Sequence, residues 1–229
     1  MARNIEFCIG EFYHIYNRGN DKRITFCDNF DYERFLTLLY LCNQPEPIHT
    51  ASLKNMDSRE IFCLEKGENL VSIGAYCLMP NHFHILIKET TQNGISMFMQ
   101  KLSTAYTMYF NVKNERTGAL FAGRFKARHT KSDIHLKYLL AYIHLNPLKL
   151  ADPEWKEKQI SSLKNMRNFL LNYDYSSYYE YLGHPRSQSA ILAPKEFPDY
   201  FANPMEFEDF IDYWINFANS DEVEPRKTS

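Results

Sequence analysis

Residues 76–88 read YCLMPNHFHILIK, and the fold turns on how this stretch is read. Pro80-Asn81 is a turn signal between two apolar runs, VSIGAYCLMP (71–80) and HFHILIKE (82–89), so the segment predicts two strands joined tightly. Successive side chains on a strand point to opposite faces. His82 and His84 therefore share one face, and Phe83, Ile85 and Ile87 the other. The Phe/Ile face supplies core. The other face sets two imidazoles about 7 Å apart at the backbone, within reach of one metal ion. Burying imidazoles costs free energy unless their nitrogens find partners, so the pair needs an explanation.

The neighbouring segments fall into a pattern around this hairpin. EFYHIYNRG (11–19) alternates and is rich in aromatic residues, predicting a strand that ends at Arg18-Gly19. NFDYERFLTLLYLCNQ (29–44) has helical apolar spacing, with Asp28 or Asn29 as its N-cap. Residues 44–58 read as a loop or insertion, and REIFCLEKG (59–67) as a strand. GISMFMQKLSTAYTMYFNVKNE (94–115) is a long amphipathic helix, LFAGRFKARH (120–129) a strand, and SDIHLKYLLAYIHLN (132–146) a helix closed by Pro147. The order is β-α-β-β-α-β with one extra edge element, the ferredoxin-like α+β pattern of an antiparallel sheet with helices on one face. After Pro147 the chain turns tyrosine-rich and then acidic. Residues 1–150 are thus expected to form one domain and 151–229 a C-terminal helical appendage, fraying after about Asn219.

Composition narrows the class. No apolar run approaches the roughly 18 residues of a membrane span. The start, MARNIEFCIGEFYHIYNRG, lacks the features of a signal peptide. Five scattered cysteines without a C-x-x-C pair fit free thiols, and the chain is expected to be cytoplasmic. The net charge of −2 hides an uneven distribution. Residues 101–149 hold nine Lys and Arg against two Asp and Glu, whereas both flanking parts are acidic. A basic middle suggests an anionic ligand, with phosphate the first candidate.

A third metal ligand would strengthen the histidine reading. In AYIHLNP (141–147), Tyr142 and Asn146 are spaced i, i+4 and project from one helical face, while His144 points elsewhere. Laid across the histidine face, this helix would offer a carboxamide oxygen to the metal and a phenol beside it.

At these residues the chain resembles a known family. MPNHFH (79–84), GALFAGRFKARHT (118–130), YIHLNPLKLA (142–151) and YHIYNRGNDK (13–22), over about residues 9–183, look like the REP-associated tyrosine transposases. These are relatives of the single-tyrosine HUH transposases of bacterial insertion sequences, in which two histidines flank a bulky hydrophobe. The resemblance implies an HUH-nuclease palm with His82, His84 and Asn146 as metal ligands and Tyr142 as nucleophile. It implies Mg2+ or Mn2+ as cofactor and single-stranded or hairpin DNA of repeat palindromes as substrate. It also implies a monomer or a homodimer, cleavage through a 5′-phosphotyrosine, and no membrane partner. The family's NPVRAG reads NPLKLA here, with Lys149 at the basic position. The glutamine usual before GRFKA is Ala122.

Arg124, Lys126 and Arg128 alternate and would line one face of a groove for DNA phosphates, with Arg18, Lys22 and Lys149 contributing. Tyr138, Tyr106 and Tyr109 are rival phenols, read as core or stacking residues. Two other function classes compete: a non-catalytic hairpin DNA- or RNA-binding protein of the same fold, and a metal-binding barrel with H-x-H on a strand. The long helices oppose the barrel.

Overall fold

A computed structural model of the chain describes residues 5–48, 56–155 and 162–217. Four strands, β1 (Phe12–Arg18), β2 (Val71–Met79), β3 (His82–Glu89) and β4 (Lys126–His129), form one antiparallel sheet in the order β2-β3-β1-β4. This is the ferredoxin-like arrangement, with β1 and β3 in the centre.

One face of the sheet presents Tyr13 and Ile15 from β1, Tyr76 and Leu78 from β2, and Phe83, Ile85 and Ile87 from β3. It is sealed by α1 (Asn29–Leu41), through Phe35, Leu36 and Leu39, and by α3 (Gly94–Lys113), through Phe98, Leu102 and Tyr106. Asp28 caps α1, its side chain accepting a hydrogen bond from the Asp31 amide. Cross-strand pairing puts His82, His84 and Leu86 on the opposite face, level with Arg18, Tyr16 and His14 of β1. There Ala75, Cys77, Met79 and Leu86 pack under Leu136, Leu139, Leu140 and Ile143 of α4 (Asp133–Leu145). Each large apolar side chain buried this way contributes about 1.5–3 kcal/mol, enough to hold α4 across the histidine face.

Two strand assignments change. Residues 59–67 are not a strand; Ser58–Phe62 is a short helix, α2. Asp57 accepts from the Glu60 amide while the Glu60 carboxylate accepts from the Asp57 amide, and this capping box starts a helical turn that the apolar pattern alone conceals. The expected loop at 44–58 is irregular where described, ends at α2, and lies partly outside the described residues. The last strand is short: β4 begins at Lys126, because Gly123 takes a left-handed conformation (φ +74°) and breaks the pairing after the single Gly19–Phe121 bridge.

The C-terminal part is helical, with α5 (Leu148–Ala151), α6 (Leu163–Leu171), α7 (Tyr178–Tyr181) and α8 (Pro204–Phe217). It builds a cluster of its own, Trp155, Leu170, Tyr178, Phe207, Ile211 and Ile215, against Ala141 and Leu145 on the far side of α4. Residues 175–177 also run along the outer edge of β2, where Leu78 N donates to Tyr175 O and Ser177 N to Tyr76 O. That covers an edge that would otherwise be open to pairing with another chain. The tail expected after Asn219 lies outside the described residues. All five cysteines are free. Among the described residues no helix is long and apolar enough to cross a membrane.

Candidate active site

The face between the sheet and α4 brings together four of the residues singled out in the sequence. The His82 and His84 rings lie 5.0 Å apart, nearly perpendicular. The Tyr142 ring stands edge-on to His84 at 5.3 Å. Asn146, the residue that ends α4, lies one turn beyond Tyr142 and is buried.

Hydrogen bonds fix how two of these groups are aimed. Asn146 Nδ2 donates to the Tyr142 carbonyl at 2.9 Å, which settles the amide orientation. Its Oδ1 is then sealed from solvent without a partner. A buried polar atom in that state costs about 1–3 kcal/mol, and a ligand that met it would recover that cost. For His82 the logic runs through the turn. Asn81 Nδ2 donates to the Lys22 carbonyl at 3.1 Å, so Asn81 Oδ1 faces His82 Nδ1 at 2.7 Å and must accept its proton. His82 Nε2 therefore carries a lone pair.

Three further residues contribute that the sequence reading passed over: Asn81, His14 and Tyr16. His14 Nε2 and His84 Nδ1 share a hydrogen bond of 2.8 Å, and the His14 ring lies 5.7 Å from that of Tyr142. Tyr16 stacks on His14 at 4.9 Å and reaches to 5.9 Å from His84. The signal was present in YHIYNRG. Once β1 pairs with β3, the alternation that buries Tyr13 and Ile15 must turn His14 and Tyr16 to the histidine face.

The imidazoles are held neutral. Burial lowers His82 to about 4, helped by the positive charges of Arg18 and Lys149. Burial first, then Arg128, lowers His14 to about 4. His84 is pushed well below the usual range by burial, with smaller contributions from His14, His82 and Lys149. Neutral rings are what a metal ion needs. The Tyr142 hydroxyl is shifted upward by burial, opposed by hydrogen bonding from Asn146 and by Arg128.

Of the basic residues, Arg18, Arg128 and Lys149 thus lie close enough to act on the site. Lys126 pairs with Tyr16 across β1 and β4 and faces solvent beside it. Lys22 serves the site through its carbonyl, and its side chain is exposed. Arg124 falls outside β4 and instead lines a cavity of about 750 Å³ with Asn17, Gln100, Ser103 and Thr104. Two rival phenols are engaged elsewhere: Tyr106 donates to Thr25 O and Tyr109 to Asp31 Oδ1. The half-exposed Tyr138 packs on Trp214 and also stands beside Tyr142, ring to ring at 6.3 Å. His144, as the spacing foretold, points away from the site and pairs with Ser177 Oγ at 2.8 Å.

Residues 41–146, which contain both histidines, Tyr142 and Asn146, match the family model described as IS200-like transposase. That stretch, just under half of the chain, is similar to the IS200-like transposases. The fold of the chain is shared with a solved structure described as a REP-associated tyrosine transposase bound to a REP hairpin. The two are 12% identical with a TM-score of 0.50, over 82% of this chain and 90% of the other. No curated protein sequence matches the chain.

The site fits a divalent cation by its donors. Among the described residues no trio of His, Cys, Asp or Glu is placed as a metal site. An ion here would rest on His82 Nε2, an imidazole nitrogen of His84 and the partnerless Asn146 Oδ1. Two neutral nitrogens and one neutral oxygen leave the ion its full charge, and such a mixed set suits Mn2+ and accommodates Mg2+.

Proposed function

We propose that this protein is a cation-dependent enzyme that nicks and rejoins single-stranded DNA at hairpin repeats through a phosphotyrosine on Tyr142. The observation that carries the reading is the sealed, partnerless Oδ1 of Asn146, set one helical turn from the phenol on the face that holds both imidazoles.

The chemistry follows from the residues. An ordinary phenol has a pKa near 10, so its anion lies about 4 kcal/mol uphill at pH 7, and burial at Tyr142 adds to that. Arg128 and the Asn146 amide act in the opposite sense and favour the anion. The phenolic oxygen attacks the scissile phosphorus and gives its proton to solvent. The bond from phosphorus to the 3′ oxygen breaks, and that oxygen takes a proton from solvent to become a 3′-OH, leaving the 5′ phosphate on Tyr142. The phosphotyrosine keeps the energy of the phosphodiester, so a 3′-OH can reverse the step without ATP. A bound Mg2+ or Mn2+ supplies charge stabilisation at the non-bridging phosphate oxygens. Arg18, Lys126, Arg128 and Lys149 ring the site and neutralise the flanking backbone. Hairpin DNA is the proposed substrate because the structural match is to a transposase bound to a REP hairpin.

Incubation with an end-labelled hairpin oligonucleotide carrying single-stranded flanks, with Mn2+ or Mg2+, tests the proposal on a denaturing gel. Wild type gives a covalent protein–DNA species and Tyr142→Phe gives none. An adduct that survives in Tyr142→Phe reassigns the nucleophile. Tight binding with no adduct in wild type favours a DNA-binding protein without catalysis.

A further inference from the structure

The two metal-facing histidines are oriented differently. His82 is set by Asn81, whose oxygen can only accept and whose other end is tied to the Lys22 carbonyl. His84 meets another imidazole. In the contact of 2.8 Å between His84 Nδ1 and His14 Nε2, either ring could carry the proton. The choice has consequences. With the proton on His14 Nε2, His84 would present Nε2–H to the site and could not bind a cation. With the proton on His84 Nδ1, His84 Nε2 keeps its lone pair.

We infer that His14 is the positioning residue of the cation site: its Nε2 accepts from His84 Nδ1 and thereby holds His84 in the tautomer that binds metal. His14 does for His84 what Asn81 does for His82, one partner coming from β1 and the other from the turn before β3. The inference rests on the proposed cation site.

Three observations support it. First, the bond runs between central strands and joins residues 70 apart in sequence, so the pairing of β1 with β3 brings the two rings together. Second, His14 is wedged between Tyr16 and the edge of Tyr142, which fixes the plane of its ring. Third, the separation of 2.8 Å is that of a hydrogen bond. Ligand histidines generally donate their second N–H to an acceptor, and losing that acceptor lowers metal affinity about 10–100-fold.

The test uses the full chain with 15N-labelled histidine. Long-range 15N–1H correlation reads the ring tautomers without any metal, with His84 assigned by the signals lost in His84→Gln. In wild type His84 shows the Nδ1–H form. His14→Gln, whose amide oxygen replaces the accepting nitrogen, keeps that form, and His14→Phe, similar in size but without an acceptor, loses it. Mn2+ affinity, followed by the electron paramagnetic resonance of free Mn2+, falls 10–100-fold in His14→Phe and stays within a few-fold in His14→Gln. The signals of His144, buried on the far side of α4, report whether each variant is folded. A His84 tautomer and a Mn2+ affinity unchanged in His14→Phe would overturn the inference, as would an Nε2–H form in wild type. Wild type that shows the Nδ1–H form yet binds Mn2+ no better than His82→Ala refutes the cation site itself and leaves the tautomer lock standing.

Discussion

His144 offers a quantitative test of how α4, and with it Tyr142, is held. The ring is fully buried, paired with Ser177 Oγ, and enclosed by Tyr178, Tyr181 and Phe207. Burial depresses its pKa from 6.5 to about 3. Because the folded value lies below the unfolded one, the unfolded chain binds the extra proton between those limits. Stability from this group is therefore fully present above pH 6.5 and is lost as the pH falls toward 3. Each unit below 6.5 costs about 1.4 kcal/mol, so at pH 5 the loss is about 2 kcal/mol from His144 alone. His14, His82 and His84 add to the same trend. His144→Gln isolates the one group, since its amide can still meet Ser177 but does not titrate. Urea unfolding of wild type and variant at pH 7 and pH 5 gives the double difference. Wild type should lose about 2 kcal/mol more than His144→Gln between the two pH values. Equal losses would show that His144 is not held neutral.

Other outcomes follow from the same structure. Replacing Lys126 and Arg128 together by Ala should lower the slope of log affinity against log salt for single-stranded DNA by about 1.4, at roughly 0.7 per phosphate, without changing the melting temperature; an unchanged slope removes them from the DNA path. Asn146→Ala takes away the sealed oxygen and should reduce Mn2+ affinity at least about tenfold, measured by competition with a fluorescent chelator. Arg186 forks onto Glu180 and donates to the Asp174 and Ser176 carbonyls beside the β2 edge. Arg186→Met leaves the Glu180 carboxylate unpaired and should cost about 3–5 kcal/mol in denaturant unfolding; a loss under 1 kcal/mol would show the ion pair to be dispensable.

The sheet was readable because its signals are local. Alternation in HFHILIK and EFYHIYNRG, the Pro80-Asn81 turn and the helical spacing after Asp28 and Ser132 each act over a few residues. The i, i+4 spacing likewise carried Tyr142 and Asn146 to one side of α4 and turned His144 away. What escaped depends on pairing or on competition. His14 reaches the site only because β1 lies antiparallel to β3 in a register that sets Tyr16 opposite His84. Asn81 reads as a turn residue and acquires its second task only when the Lys22 carbonyl comes within reach. At 58–62 a capping box outweighed a strand-like apolar run, and at 123 one glycine shortened β4 and carried Arg124 off the strand.

The link from β4 to α4 is only three residues, Thr130 to Ser132, and the far side of α4 is glued to the C-terminal cluster. Tyr142 stands here with the histidines of the same polypeptide, and α4 buries apolar surface on both flanks. If DNA is processed as proposed, each molecule can hold only one severed end at any moment. Excising a segment, which has two ends, then takes either two molecules acting in concert or one molecule that resolves its first linkage before making the second.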